Sequence, residues 1–240
     1  MPIDIIIPLG NGSYWHNNEL MYCLRGIERY LRNYRNVIII GKKPEWLTRD
    51  IISYDHPDKF NHERNIYEKI KFACGLRDVS DRFLFMNDDH FLTAPVDAEN
   101  YPYYWRHTLD EKIASRTRPD GYRISLVNTR DILPVDTRKY FDIHCPIIYD
   151  KAMFLRTMAD VNWEKPMGYV IKSLYCNKVG VPAVEMRDLK MKGGTTYDWM
   201  KKSIDGRHVF SISDSVICPD FERFMRELYP NRSKWEINNK

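Results

Sequence analysis

Two adjacent carboxylates, Asp88 and Asp89, follow directly on an apolar run in the stretch RFLFMNDDHFL, Arg82 to Leu92. The run Phe83-Leu84-Phe85-Met86 reads as a strand buried on both faces of a sheet. Carboxylates delivered to the end of such a strand are costly unless something neutralises them. A divalent cation is the usual compensator, because it takes hard oxygen ligands and keeps positions open for phosphate oxygens. Open α/β sheets bind ligands at the C-terminal ends of their strands. The pattern therefore predicts a metal–diphosphate site at Asp88 and Asp89. The plain alternative is that the pair caps a following turn or helix. His90, next in line, is either a further ligand or a side chain pointing into the turn.

Other residues carry chemistry further along. His144 titrates near neutrality and is a candidate general base or acid for an acceptor hydroxyl. The alternative is a structural histidine hydrogen-bonded beside a strand. Arg64 and Asn65 open a predicted helix, where backbone N–H groups and a guanidinium suit an anion. The alternative there is a surface arginine. The basic stretch KMKGGTT, Lys190 to Thr196, reads as a flexible loop able to close over phosphates, or simply as a solvated turn.

The elements that must position these residues alternate. Ile3 to Pro8 is an apolar run stopped by Pro-Leu-Gly-Asn-Gly-Ser, a buried strand entering a loop. That loop lacks the spacing of a Walker A or G-x-G-x-x-G motif. Asn17 or Asn18 is placed to cap a helix running to about Tyr34, with Leu20, Leu24, Ile27 and Leu31 on one face. Asn36 to Gly41 is a second buried strand and Ile51 to Tyr54 a short third. Glu63 to Leu76 is a second helix. The order predicts an α/β fold with a mostly parallel sheet flanked by helices. The loops after Ile7, Ile40, Tyr54 and Met86 then share one edge. The C-terminal half is less regular. Ala94 to Asp120 reads as an irregular lobe holding Tyr101, Tyr103, Tyr104 and Trp105. Ile147 to Tyr149 is a strand, with helices expected over Lys151–Ala159 and Lys165–Tyr175. Val209 to Ile212 is short and apolar, and Asp220 caps a terminal helix, Phe221 to Leu228.

Composition sets the bounds. The chain has 240 residues, enough for one large domain with a substantial core. Apolar content of 43% and charged content of 29% exclude wholesale disorder. Aromatic content of 13% suits a sugar-stacking surface, although core packing accounts for most of it. A net charge of +4 is compatible with nucleotides, phosphosugars or nucleic acid. No apolar run is long enough to span a bilayer. The start, MPIDIIIPLG, is not a secretion signal, and cytoplasmic location is expected. Cys23, Cys74, Cys145, Cys176 and Cys218 are far apart and form no Cys-x-x-Cys motif, so reduced thiols are expected.

The segments NNELMYCLRGIERYL, PEWL, FNHERNIYEKI and FLFMNDDHFL follow one another from Asn17 to Leu92. In order and spacing they resemble the second region of the Stealth-type sugar-phosphate transferases. These are capsule hexose-1-phosphate transferases and their relatives, with a core similar to GT-A glycosyltransferases. FDIHCPIIYDKAMF, Phe141 to Phe154, resembles that family's third region, where a His precedes a Pro. The pattern is also similar to that of short, phage-like glycosyltransferases. The chain departs from the family in its first loop, LGNGSYW, where a Trp-Val-Asp-Gly-like segment is usual. It departs again at Asn61-His62, where an asparagine–serine pair is expected.

The resemblance implies a single GT-A-like domain, with residues 1–95 forming the nucleotide-sugar-binding half and 96–240 the acceptor half. It implies that Asp88 and Asp89 hold Mn²⁺ or Mg²⁺ against the donor diphosphate, Asp89 being catalytic with His144. Pro8, Leu9, Gly10, Asn11 and Gly12 would lie near base and ribose. His208, with Asp214, would supply a late metal ligand, since imidazole is acceptable to Mn²⁺. Glu19 and Arg25 belong to the matched helix motif, Arg25 in a structural role. The expected activity is glycosyl transfer from a nucleotide-diphosphate sugar, a UDP-sugar first among them. The expected acceptor is a hydroxyl on a glycan or modified nucleobase. The alternative is transfer of sugar 1-phosphate, and a third reading is a nucleic-acid-binding protein on a degenerate transferase fold.

Overall fold

A computed structural model describes residues 2–237. In the first half, β1 (Ile3–Pro8), α1 (Asn18–Tyr30), β2 (Leu31–Arg32), β3 (Tyr34–Ile40) and β4 (Ile52–Tyr54) follow in turn. Then come α2 (His62–Gly75), β5 (Arg82–Phe85), β6 (Phe91–Leu92) and β7 (Val96–Asp97). The second half holds β8 (Tyr103–Trp105), α3 (Leu109–Ser115), α4 (Gly121–Asp131), β9 (Ile147–Asp150), α5 (Lys151–Met158) and α6 (Ile171–Val179). It ends with β10 (Ala183–Glu185), β11 (Lys190–Met191), α7 (Tyr197–Ser203), β12 (Val209–Ile212) and α8 (Pro219–Leu228).

The central sheet has the order β4-β3-β1-β5-β9. Its first four strands are parallel, and β9 runs antiparallel to β5 with Phe85 opposite Ile147. Every residue of β1 is buried, as an isoleucine-rich strand between two helical layers must be. Asp4 is the polar exception in β1. Its carboxylate accepts from the Arg35 guanidinium, from Asn36 and from the Ser80 N–H. A second, smaller core packs Phe91, Phe210, Phe221 and Phe224 under α8 and β12.

The mostly parallel α/β sheet matches the expectation, and several boundaries move. α1 stops at Tyr30, because Leu31–Arg32 pairs with β7 and Asn33 takes φ 58°. Asn17 stands at its N-cap with φ 62° and makes no side-chain cap bond. The helix expected over Lys165–Tyr175 begins only at Ile171, since Met167 and Gly168 both have positive φ. Lys190 and Met191 belong to a strand pairing with β12, and only the residues after them form the turn. Cys218, not Asp220, is the N-cap of α8. The lobe after Ala94 is more regular than expected: a capping box between Thr108 and Glu111 starts α3. No described helix is long and apolar enough to cross a membrane.

Candidate active site

The C-terminal ends of β1 and β5 open on a cleft of about 470 Å³. Gly10, Asn11, Gly12 and Ser13 line one side, Asn87, Asp88 and Asp89 another, with Glu19, Lys69 and Asp214 between them. The loop after β1 is pinned from below. The Leu9 N–H donates to the Ile40 carbonyl at 2.9 Å. Gly41, with φ 143°, passes so close that a Cβ there would lie 2.2 Å from the Leu9 carbonyl oxygen. From α2, the buried Lys69 Nζ donates to that same carbonyl at 2.8 Å and to Asp58 Oδ1 at 2.5 Å. Asp58 Oδ2 in turn accepts the Asn11 N–H at 3.3 Å. The loop is thus held from β3, from the β4–α2 connection and from α2.

The protein compensates the acidic pair only in part. Burial first, then the neighbouring Asp89 and Glu19, push Asp88 up to about 7. Burial also raises Asp89, although Lys190 and Lys172 pull the other way. Asp89 Oδ1 is buried with no hydrogen-bond partner among the described residues. His90 is fully buried, its Nδ1 accepting the Asn87 N–H at 3.2 Å, which leaves Nε2 to carry the proton. That Nε2 is also unpartnered and stands 4.0 Å from Asp89 Oδ1. Glu19 accepts from the Ser13 hydroxyl at 2.8 Å. Among the described residues no group of three or more His, Cys, Asp or Glu side chains is arranged to hold a cation unaided. The donor set still fits one: two adjacent hard carboxylates, one with an orphaned oxygen, in a cleft roomy enough for phosphate oxygens to complete the shell.

A second cavity, of about 480 Å³, shares His62, Ile66 and Asn87 with the first. His144, Lys172 and Lys190 line it. His144 is positioned by its backbone N–H, which donates to Asp188 Oδ2 at 3.1 Å. Its Nε2 lies 3.2 Å from Lys190 Nζ. Burial, then Lys190 and Lys172, push the imidazole down to about 3, so it is neutral, and its Nε2 lone pair accepts from the Lys190 ammonium. Lys172 is buried in the first turn of α6 and donates to the carbonyls of Ile143 and Cys145 at 3.0 and 2.7 Å. Asp142 takes the Lys172 and Ser173 N–H groups at the start of the same helix. The Phe141–Pro146 segment is therefore clamped on both sides of His144.

The structure brings Asp88, Asp89, Pro8, Gly10, Asn11 and Gly12 to one cleft, with His144 in the adjoining cavity. Other expected site residues stand elsewhere. Leu9 turns its side chain into the core and offers only backbone. Arg64 is paired with Glu164 at 2.7 and 2.8 Å and stacks over Phe60, away from the cleft. Asn65 lines the cleft, but its amide is consumed by the Lys59 and Phe60 backbone. His208 does not reach the carboxylates. Its Nε2 meets the Tyr101 hydroxyl at 3.0 Å and it faces a different cavity, so Asp214 is the residue of that segment lining the cleft. Arg25 is bound to Glu236 and to the Tyr229 carbonyl, a structural role. Lys69, Asp58 and Lys172 brace the two cavities with no local signal in the sequence, since a helical lysine reads as solvated and a lone loop aspartate as a surface charge.

The fold is the GT-A type seen in solved galactosyltransferase structures. The galactosyltransferase LgtC, solved with donor and acceptor sugar analogs, matches 97% of this chain and 97% of its own at a TM-score of 0.52 and 12% identity. An active-site mutant of LgtC matches 94% of this chain and 95% of its own at 0.50 and 14%. In sequence the chain is similar to the capsular polysaccharide phosphotransferase cps12A of Actinobacillus pleuropneumoniae, at 25% identity over 164 residues, 61% of this chain. A second relative from that organism, cps1A, is 24% identical over 62% of this chain. The matches cover 44% and 45% of those two proteins, so the chain spans about half the length of the curated relatives it matches. No family model matches it. These likenesses bear out the resemblance carried by the NDD and HCP motifs.

Proposed function

We propose that the chain is a nucleotide-sugar-dependent transferase that moves a sugar 1-phosphate to a hydroxyl of a glycan acceptor. The observation that carries this is the orphaned acidic pair and the Lys190–His144 pair lining two connected cavities. Asp88 and Asp89 would hold a divalent cation, which neutralises charge on the donor diphosphate when bound. Gly10 to Gly12 border the space for base and ribose. Lys190 Nζ donates to His144 Nε2; when the donor phosphate takes over Lys190, the freed Nε2 takes the proton of the acceptor hydroxyl. The hydroxyl oxygen bonds to the phosphorus bearing the sugar. The bond from that phosphorus to the bridging oxygen breaks, and a nucleoside monophosphate leaves. Lys190, beside His144, offsets the charge spread over the transferred phosphate.

The phosphotransferase relatives favour this cleavage. Glycosyl transfer is the second reading, favoured by the fold shared with LgtC. There the hydroxyl attacks the anomeric carbon and a nucleoside diphosphate leaves. Incubation with nucleotide sugars and Mn²⁺ or Mg²⁺ tests both. Release of the monophosphate supports the proposal, the diphosphate supports the second reading, and no turnover of any donor refutes both.

A further inference from the structure

Beyond His144 the cavity continues into a groove of about 760 Å³. The two share Arg116, Tyr122, Ile143, His144 and Lys190, so a molecule in the groove meets the imidazole directly. Its walls carry seven lysines and arginines against one carboxylate, Asp188. Arg106 approaches Asp188 at 4.0 Å, and Arg116 is paired with Asp120 outside the groove. Among the described residues Lys112, Arg187, Lys190 and Lys192 make no ion pair with a carboxylate. Lys112 lies instead over the Tyr140 ring, 4.7 Å from its centroid. Burial weakens both Lys112 and Lys190 as cations, so their charge is maintained at a cost.

A surplus of this size along an open groove attracts a ligand with several negative charges. Lysines and arginine forks suit phosphate oxygens. Trp199, partly exposed at the same groove, offers a flat face for a sugar ring. Trp199 is the one exposed ring among its tyrosine and tryptophan side chains, so the groove has no row of rings to stack successive bases, which disfavours a single-stranded nucleic acid. We propose that this groove is the acceptor site and that the acceptor is a glycan already bearing phosphate groups. The inference rests on the transferase reading, since it assigns that reaction's second substrate.

The test uses glucose 1,6-bisphosphate, glucose 6-phosphate, glucose, glucuronic acid and a short single-stranded DNA as probes. Binding is measured by calorimetry to the full chain and to a Lys112→Ala, Lys192→Ala double variant whose thermal unfolding is checked. The bisphosphate should bind best and glucose least, with affinity falling as salt rises. The double variant should bind the bisphosphate about tenfold more weakly or worse. Equal binding of glucose and its bisphosphate, or an unchanged variant, overturns the proposal. DNA binding tighter than every hexose overturns the glycan assignment. Donor turnover by the unaltered chain is recorded separately. Turnover without phosphohexose binding sinks the groove assignment alone, whereas absence of turnover sinks the transferase reading beneath it.

Discussion

Asp89 Oδ1 is buried and makes no hydrogen bond among the described residues, while Asp88 beside it is pushed up to about 7. A protein that only needed a turn cap here would not leave a carboxylate oxygen unpaired. Asp89→Ala should lower donor turnover at least about a hundredfold, because it would remove one of the two carboxylates proposed to hold the cation. Its melting temperature should not fall, since an uncompensated charge goes with it. Retained turnover in a well-folded variant would refute the site. His144 gives a different prediction. Its imidazole is already neutral above about 3, through burial and the facing lysines, with Lys112 and Lys192 adding to Lys190 and Lys172. It therefore contributes no acid limb to the rate between about pH 5 and 8, where an unperturbed histidine would titrate. His144→Gln should cut turnover about 100-fold to 10,000-fold by an equal factor across that range. Profiles that converge below pH 6 would mean that the histidine titrates there after all. At this scale the sequence speaks through adjacency. Asp88, Asp89 and His144 each stand beside an apolar strand, and all three reach the site. Lys69 and Lys172 could not be read, because burial of a lysine depends on what packs over the helix.

Among elements, β1 and β5 do most of the positioning. They are neighbours in register, with Ile6 opposite Phe85, so the loops that follow them leave side by side. Apolar runs in a strand–helix alternation make such neighbours legible. The ends of helices were less so. Met167, Gly168 and Asn33 adopt positive φ, a property of local backbone rather than of hydrophobic spacing. Asp4 holds the opposite end of β1. Burial would raise its carboxyl, but Arg35, the Ser80 N–H and Asn36 outweigh burial and hold it below the ordinary range. A depressed carboxylate stabilises the fold above its unfolded value, and the stabilisation disappears as pH falls through the folded value. Asp4→Ala should cost about 2 to 3 kcal/mol at neutral pH. The gap from the unaltered chain should narrow below about pH 4. Denaturant unfolding at both pH values measures it, and a gap independent of pH would show that the carboxylate's charge is irrelevant.

For the molecule as a whole, the cleft draws residues from distant parts of the chain. Asp214 joins Asp88 and Gly10, while Lys172 and Lys190 serve the cavity next door. Both cavities are thus lined by residues from the first and the second half of the chain. A long-range meeting of this kind follows from topology, which local patterns do not encode. A ligand bridging such separate segments binds only the folded chain. A nucleoside diphosphate with Mn²⁺, at a hundredfold excess over its dissociation constant, should raise the melting temperature by about 5 to 10 °C. Little shift is expected from either alone, and an equal shift from nucleotide without metal would argue against a shared carboxylate–diphosphate ion. The fifth strand of the sheet has a consequence of its own. Because β9 runs against β5, its entrance, not its exit, abuts the exit of β5. Reversal of polarity is what brings a residue upstream of one strand face to face with residues downstream of another. Had β9 run with its neighbour, His144 would sit at the far rim of the sheet, a strand's length from Asp89. In a relative with five parallel strands, a residue facing the exit of β5 would have to come from the segment after the fifth.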